Sequence, residues 1–66
     1  MTNKLKLART AQQLTQEELA KLAGVSRQSI HAIESGKYVP TTILALKLAR
    51  ILTTTVEQLF VLEEGD

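Results

Sequence analysis

Between Thr15 and Gly36, in TQEELAKLAGVSRQSIHAIESG, apolar positions return at helical spacing in two blocks separated by a glycine. Thr15 followed three residues later by Glu18 is a capping box for the first block. Leu19, Ala20, Leu22 and Ala23 give that helix its apolar face. Gly24 tolerates a left-handed backbone and lets the chain turn sharply, with Val25 in the angle. Ser26 caps the second block and Gly36 ends it. Upstream, Asn3 is an N-cap for a helix running to about Gln13, with Leu5, Ala8 and Ala11 inward and Lys4 and Lys6 in water. Leu14 closes that helix. Downstream, Thr41 caps a helix from Thr42 to about Leu52, and Pro40 blocks any upstream extension. This helix is apolar almost all round. Leu44, Ala45, Leu48, Ala49 and Leu52 form one stripe; Ile43 and Leu46 lie off it, a surplus that argues for a partner. Thr53, Thr54 and Thr55 break the pattern, and Thr55 with Gln58 offers another capping box. A short fifth helix, Val56 to Phe60, returns Val56, Leu59 and Phe60 to the core. The expected fold is all-α with five helices.

The helix after Ser26 has two contrasting faces. At about 100° per residue, Arg27, Gln28, His31, Ala32 and Ser35 share one arc of roughly 140°, while Ile30 and Ile33 point the other way. An ordinary outer face carries long flexible charges. This one offers a guanidinium fork, an amide, an imidazole and a methyl, the groups that read base edges in a DNA major groove. Arg27 suits guanine O6 and N7, Gln28 suits adenine N6 and N7, and Ala32 can only touch a thymine methyl. Lys37 and Tyr38 follow the helix end, where a DNA backbone would run. Gln16 opens the preceding helix, where an amide and free backbone N–H groups can hold a phosphate. Ser26, Ser35, Lys37 and Tyr38 complete the expected phosphate contacts.

LTQEELAKLAGVSRQSI, IESGKYVP and LALKLA together resemble the lambda-repressor-like (Cro-type) helix-turn-helix regulators, also called the xenobiotic-response-element family. The resemblance covers about Leu5 to Phe60 and is nearest to short stand-alone repressors of the cytolysin-repressor type. It implies several features. Arg9 would pair with Glu34 and fix the first helix against the third. The β-prone end, Phe60-Val61-Leu62-Glu63, would form a strand against Met1 to Asn3, giving a short two-stranded N/C-terminal antiparallel sheet. The pattern usually has a polar residue where Ile43 stands and Asn where Val39 stands. Ile43, Leu46, Leu59, Phe60, Val61 and Leu62 are accordingly the expected dimer surface, because one recognition helix covers only a few base pairs.

Composition narrows the picture. Sixty-six residues allow one domain, 1–66, with the helix-turn-helix at 15–36 and a dimerisation region at about 43–63. A chain this short buries only about 60% of its unfolded surface, so association helps it. Without Cys, and with one His, no metal or other cofactor is expected. No nucleophile–base pair points to an enzyme, and no small-molecule ligand is evident. The absence of a signal segment or long apolar run makes the expected location cytoplasmic, with no membrane partner. A formal charge of +1 conceals a gradient. Residues 1–50 hold all eight Lys and Arg against three Glu, a balance of +5; residues 51–66 hold four acids and no base. A basic body attracts DNA phosphates, and an acidic end is kept from them. The expected function is sequence-specific double-stranded DNA binding as a homodimer on a palindromic operator, as a repressor. The rival is an antitoxin or accessory module that uses the same fold to hold a partner protein.

Overall fold

Local capping sets where all but the first helix of this chain begin. The computed structural model describes residues 1–66, in the order β1 (Thr2–Asn3), α1 (Leu5–Ala11), α2 (Gln16–Ala23), α3 (Arg27–Glu34), α4 (Thr42–Ile51), α5 (Val56–Leu59) and β2 (Phe60–Val61). Four helices start at a hydroxyl. Thr15, Ser26, Thr41 and Thr55 each accept a hydrogen bond from the amide three residues on. At Thr15 the box is complete: Glu18 N–H donates to Thr15 Oγ1 at 3.0 Å, and Thr15 N–H donates to Glu18 Oε1 at 2.8 Å. The Thr15 backbone N–H, then its hydroxyl, hold the Glu18 carboxyl below its ordinary pKa. A carboxyl depressed in this way contributes stability above its unfolded pKa, and loses it as pH falls through the depressed one. At Thr55 the box is half made. Gln58 N–H reaches Thr55 Oγ1, but Gln58 Oε1 accepts from Thr54 Oγ1 at 2.6 Å instead of returning to the cap.

The turn between α2 and α3 is as the sequence reading expects. Gly24 adopts φ 73°, in the left-handed region, and its N–H and that of Val25 close onto α2 carbonyls. Half-buried Val25 packs against the core.

Four details of the helices differ from the sequence reading. Asn3 lies in β1 rather than at an N-cap, because its backbone pairs with Phe60; the cap position falls to Lys4, whose side chain makes no capping bond. Asn3 Oδ1 still accepts from Leu5 N–H at 3.2 Å. Secondly, α1 ends at Ala11 rather than Gln13. Gln13 turns into the left-handed region at φ 58°, with no glycine in the stretch to announce it. Ala11 is left exposed. Thirdly, Leu22 is 60% exposed, since the inward side of α2 centres on Leu19, Ala20 and Ala23 and leaves Leu22 roughly 110° away. Phe60 likewise leaves α5 to enter β2, while staying half-buried against the core.

The core is aliphatic and drawn from all five helices: Leu5, Leu19, Ile30, Ile33, Leu48 and Leu59 are its largest enclosed side chains. Leu44, Ala45, Leu48, Ala49 and Leu52 form the inward stripe of α4. The antiparallel β1–β2 pair aligns Thr2 with Val61 and Asn3 with Phe60, joining the chain's two ends. Lys4 N–H extends the junction to Leu59 O at 2.8 Å. No helix is long and apolar enough to cross a membrane.

Candidate nucleic-acid interface

The outer face of α3 follows from its inner one. Ile30 and Ile33 are fully enclosed, which fixes the roll of the helix and turns Arg27, Gln28 and His31 outward. These three line one shallow depression. Ala32 does not line it and is half-buried. The Arg27 and Gln28 side chains have no hydrogen-bond partner within the chain, so their donors and acceptors are free for a ligand.

Behind this face lies a polar anchor. Arg9 Nε donates to Glu34 Oε2 at 2.7 Å and Arg9 Nη2 to Glu34 Oε1 at 3.3 Å, a two-pronged pair with side chains only 10% and 5% exposed. Arg9 Nη1 donates to Leu14 O at 2.7 Å, so the same guanidinium also fixes the α1–α2 connection. Gln16, at the first position of α2, donates from Nε2 to Glu34 Oε1 at 3.0 Å and lies 3.4 Å from His31 Nδ1. One carboxylate therefore ties α1, α2 and α3 together. Its charge is matched by Arg9, so no unbalanced anion lies under the basic face.

The expected phosphate contacts are placed around the two ends of α3. Ser26 Oγ is occupied in capping and lies 3.0 Å from Ser29 Oγ. Ser35 Oγ donates to Ala32 O at 3.1 Å. Lys37 and Tyr38 both donate their backbone N–H to Ala32 O, at 2.9 and 3.2 Å, and their side chains are exposed past the helix end. Gln16 is the inward-held member, its amide nitrogen engaged with Glu34 and its oxygen unbonded. The structure thus brings Gln16, Arg27, Gln28 and His31 to one side, with Lys37 and Tyr38 beyond the C-terminal end of α3.

One contributor escapes sequence reasoning. Asn3 Nδ2 donates to Ile33 O at 2.8 Å, across thirty positions of sequence. It ties the terminal sheet to the last turn of α3, and an Asn near a chain end carries no signal of such a contact.

Elsewhere on the surface, Ile43 and Leu46 are 69% and 58% exposed, and Val61 and Leu62 are also outside. Ile43, Leu46, Val56 and Phe60 line an open groove along α4 and α5. Leu59 does not belong to that surface: at 1% exposed it is enclosed in the protomer's own core.

A helix-turn-helix family model matches residues 5–59. An uncharacterized HTH-type transcriptional regulator of Methanocaldococcus jannaschii is 50% identical over 66 residues, the full length of both chains. Another from Bacillus subtilis is 44% identical over 64 residues, 97% of each chain. Among solved structures, the restriction-modification controller protein C.AhdI from Aeromonas hydrophila is similar with a TM-score of 0.79 at 37% identity, over 86% of each chain.

Proposed function

Since this chain belongs to the lambda-repressor-like (Cro/C1-type) helix-turn-helix family of transcriptional regulators, we propose that it binds a palindromic operator as a homodimer and represses transcription. The carrying observation is the outer face of α3, where unpartnered Arg27 and Gln28 stand with His31 on a helix held rigid from behind. Arg27 reads guanine and Gln28 reads adenine in the major groove, with His31 and Ala32 at neighbouring base positions. Ser26, Lys37, Tyr38 and Gln16 meet phosphates and set the register, joined by Ser35 once its hydroxyl turns from Ala32 O. For Gln16 this contact works through preorganisation: Glu34 holds its amide while the adjacent N-terminal amides of α2 face the backbone.

Two copies are needed because one α3 spans only a few base pairs, and two-fold symmetry gives half-sites about 34 Å apart. The exposed Ile43, Leu46, Val61 and Leu62 supply the self-association surface, and none of them belongs to α3. Repression then requires only occupancy, since a dimer seated across a promoter excludes polymerase by volume.

Titration of variants on operator and random DNA separates the roles. Arg27→Ala is expected to cost about 1–3 kcal/mol on the operator and to relax preference at one base pair per half-site. Lys37→Ala is expected to weaken all sequences alike and to flatten the salt dependence. Equal loss on specific and random DNA for Arg27→Ala would remove it as a base reader.

A further inference from the structure

The groove along α4 and α5 is charged as well as apolar. Lys47 and Arg50 of α4 line it, and so does Glu57 of α5, around the strip that holds Ile43, Leu46 and Phe60. The chain's ion pairs lie elsewhere, at Arg9–Glu34 and at the amine of Met1 with Glu63 and Asp66, which leaves these three charges without an opposite charge in their own protomer. All three are exposed. The separation by element is complete: α4 carries two bases and no acid, and residues 51–66 carry four acids and no base.

A two-fold pairing presents a surface to its own rotated copy, so that each contact between positions i and j occurs twice. If α4 met α4 across the axis, Lys47 and Arg50 would confront their own kind. If α4 lies along α5 of the other copy, bases meet acids on both sides and the apolar strips still close on each other. Like charges facing each other are costly and opposite ones fix register, so the charge pattern selects the second arrangement.

We propose that a second copy of this chain docks in the groove with its α4 along α5, placing Arg50, assisted by Lys47, against the partner's Glu57. This rests on the homodimer reading above and specifies how the two copies are oriented. Surplus apolar area drives association; the paired charges decide which way round the copies meet.

Charge exchange tests it, with self-association followed by sedimentation equilibrium over micromolar concentrations. Arg50→Glu alone and Glu57→Arg alone are each expected to weaken the dimer about tenfold or more, because each puts two like-charged contacts into one interface. The Arg50→Glu, Glu57→Arg double variant is expected to recover to within about threefold of the wild type, which also shows that the substitutions leave the fold intact. An equimolar mixture of the two single variants is expected to form a heterodimer more tightly than either forms a homodimer. Tighter self-association of Arg50→Glu would mean that α4 meets α4, and would overturn the proposal. Wild-type dimerisation that is lost in Ile43→Lys yet unchanged in both charge variants would also overturn it, leaving the homodimer itself standing. A wild-type chain that stays monomeric would remove both.

Discussion

Arg9→Ala is expected to lower the stability of the fold by about 3–5 kcal/mol, the cost of leaving a buried charge without its partner. The substitution strands the Glu34 carboxylate, 5% exposed, with Gln16 as its remaining donor, and leaves Leu14 O without the guanidinium. At about 0.05–0.15 kcal/mol per residue, a chain of this length has a total of roughly 3–10 kcal/mol, so this one change takes from about a third of it to all of it. Urea unfolding of Arg9→Ala, Glu34→Ala and the double variant gives the coupling directly. The double variant is expected to be less damaged than the sum of the two singles, because removing both partners leaves no stranded charge. A coupling near zero would reduce the pair to two unrelated charges, and the rigid support behind α3 would lose its main element.

Leu46→Lys is expected to leave the fold intact and to reduce dimerisation and operator affinity together. At 58% exposure Leu46 contributes little to the protomer's core, so thermal unfolding at low concentration should barely move. In a two-fold interface each substitution counts twice. Burying a fully exposed leucine is worth about 1.5–3 kcal/mol, and with 58% of Leu46 left to bury in each copy the loss in dimer stability is about 2–3.5 kcal/mol. Operator binding should fall by a similar factor wherever the free chain is mostly monomeric, since assembly of the dimer is then part of binding. Ile43→Lys should behave alike. A Leu46→Lys variant that sediments as a monomer and still binds a full palindrome as tightly as wild type would detach DNA binding from this surface.

Much of the fold is legible in the chain because its signals are local. Hydroxyl caps at Thr15, Ser26, Thr41 and Thr55 and the left-handed Gly24 mark helix boundaries within a few residues of themselves. What escapes is non-local. Gln13 takes a left-handed conformation because the turn into Leu14 demands it, and Asn3 is drawn from capping into a strand by pairing with Phe60. Leu22 falls outside because the inward direction of α2 is decided by α3 and α4, which periodicity within one helix cannot locate. The outer face of α3 divides in the same way. Enclosure of Ile30 and Ile33 at helical spacing is enough to place Arg27, Gln28 and His31 outside. That Gln16 is held by Glu34 depends on how α2 sits over α3, eighteen positions apart in sequence. Arg9 and Glu34 are twenty-five positions apart, so no spacing within a helix relates them. Their pairing is legible only through family resemblance.

The central claim is that α3 reads a defined sequence and that two copies read it twice. Selection of bound duplexes from a pool of random DNA by the wild-type chain at moderate salt tests this most directly. The expected product is an inverted repeat whose half-sites are centred about one helical turn apart, each holding a guanine whose enrichment disappears when the selection is repeated with Arg27→Ala. Recovery of no enriched sequence, or of the same motif from Arg27→Ala, would contradict it.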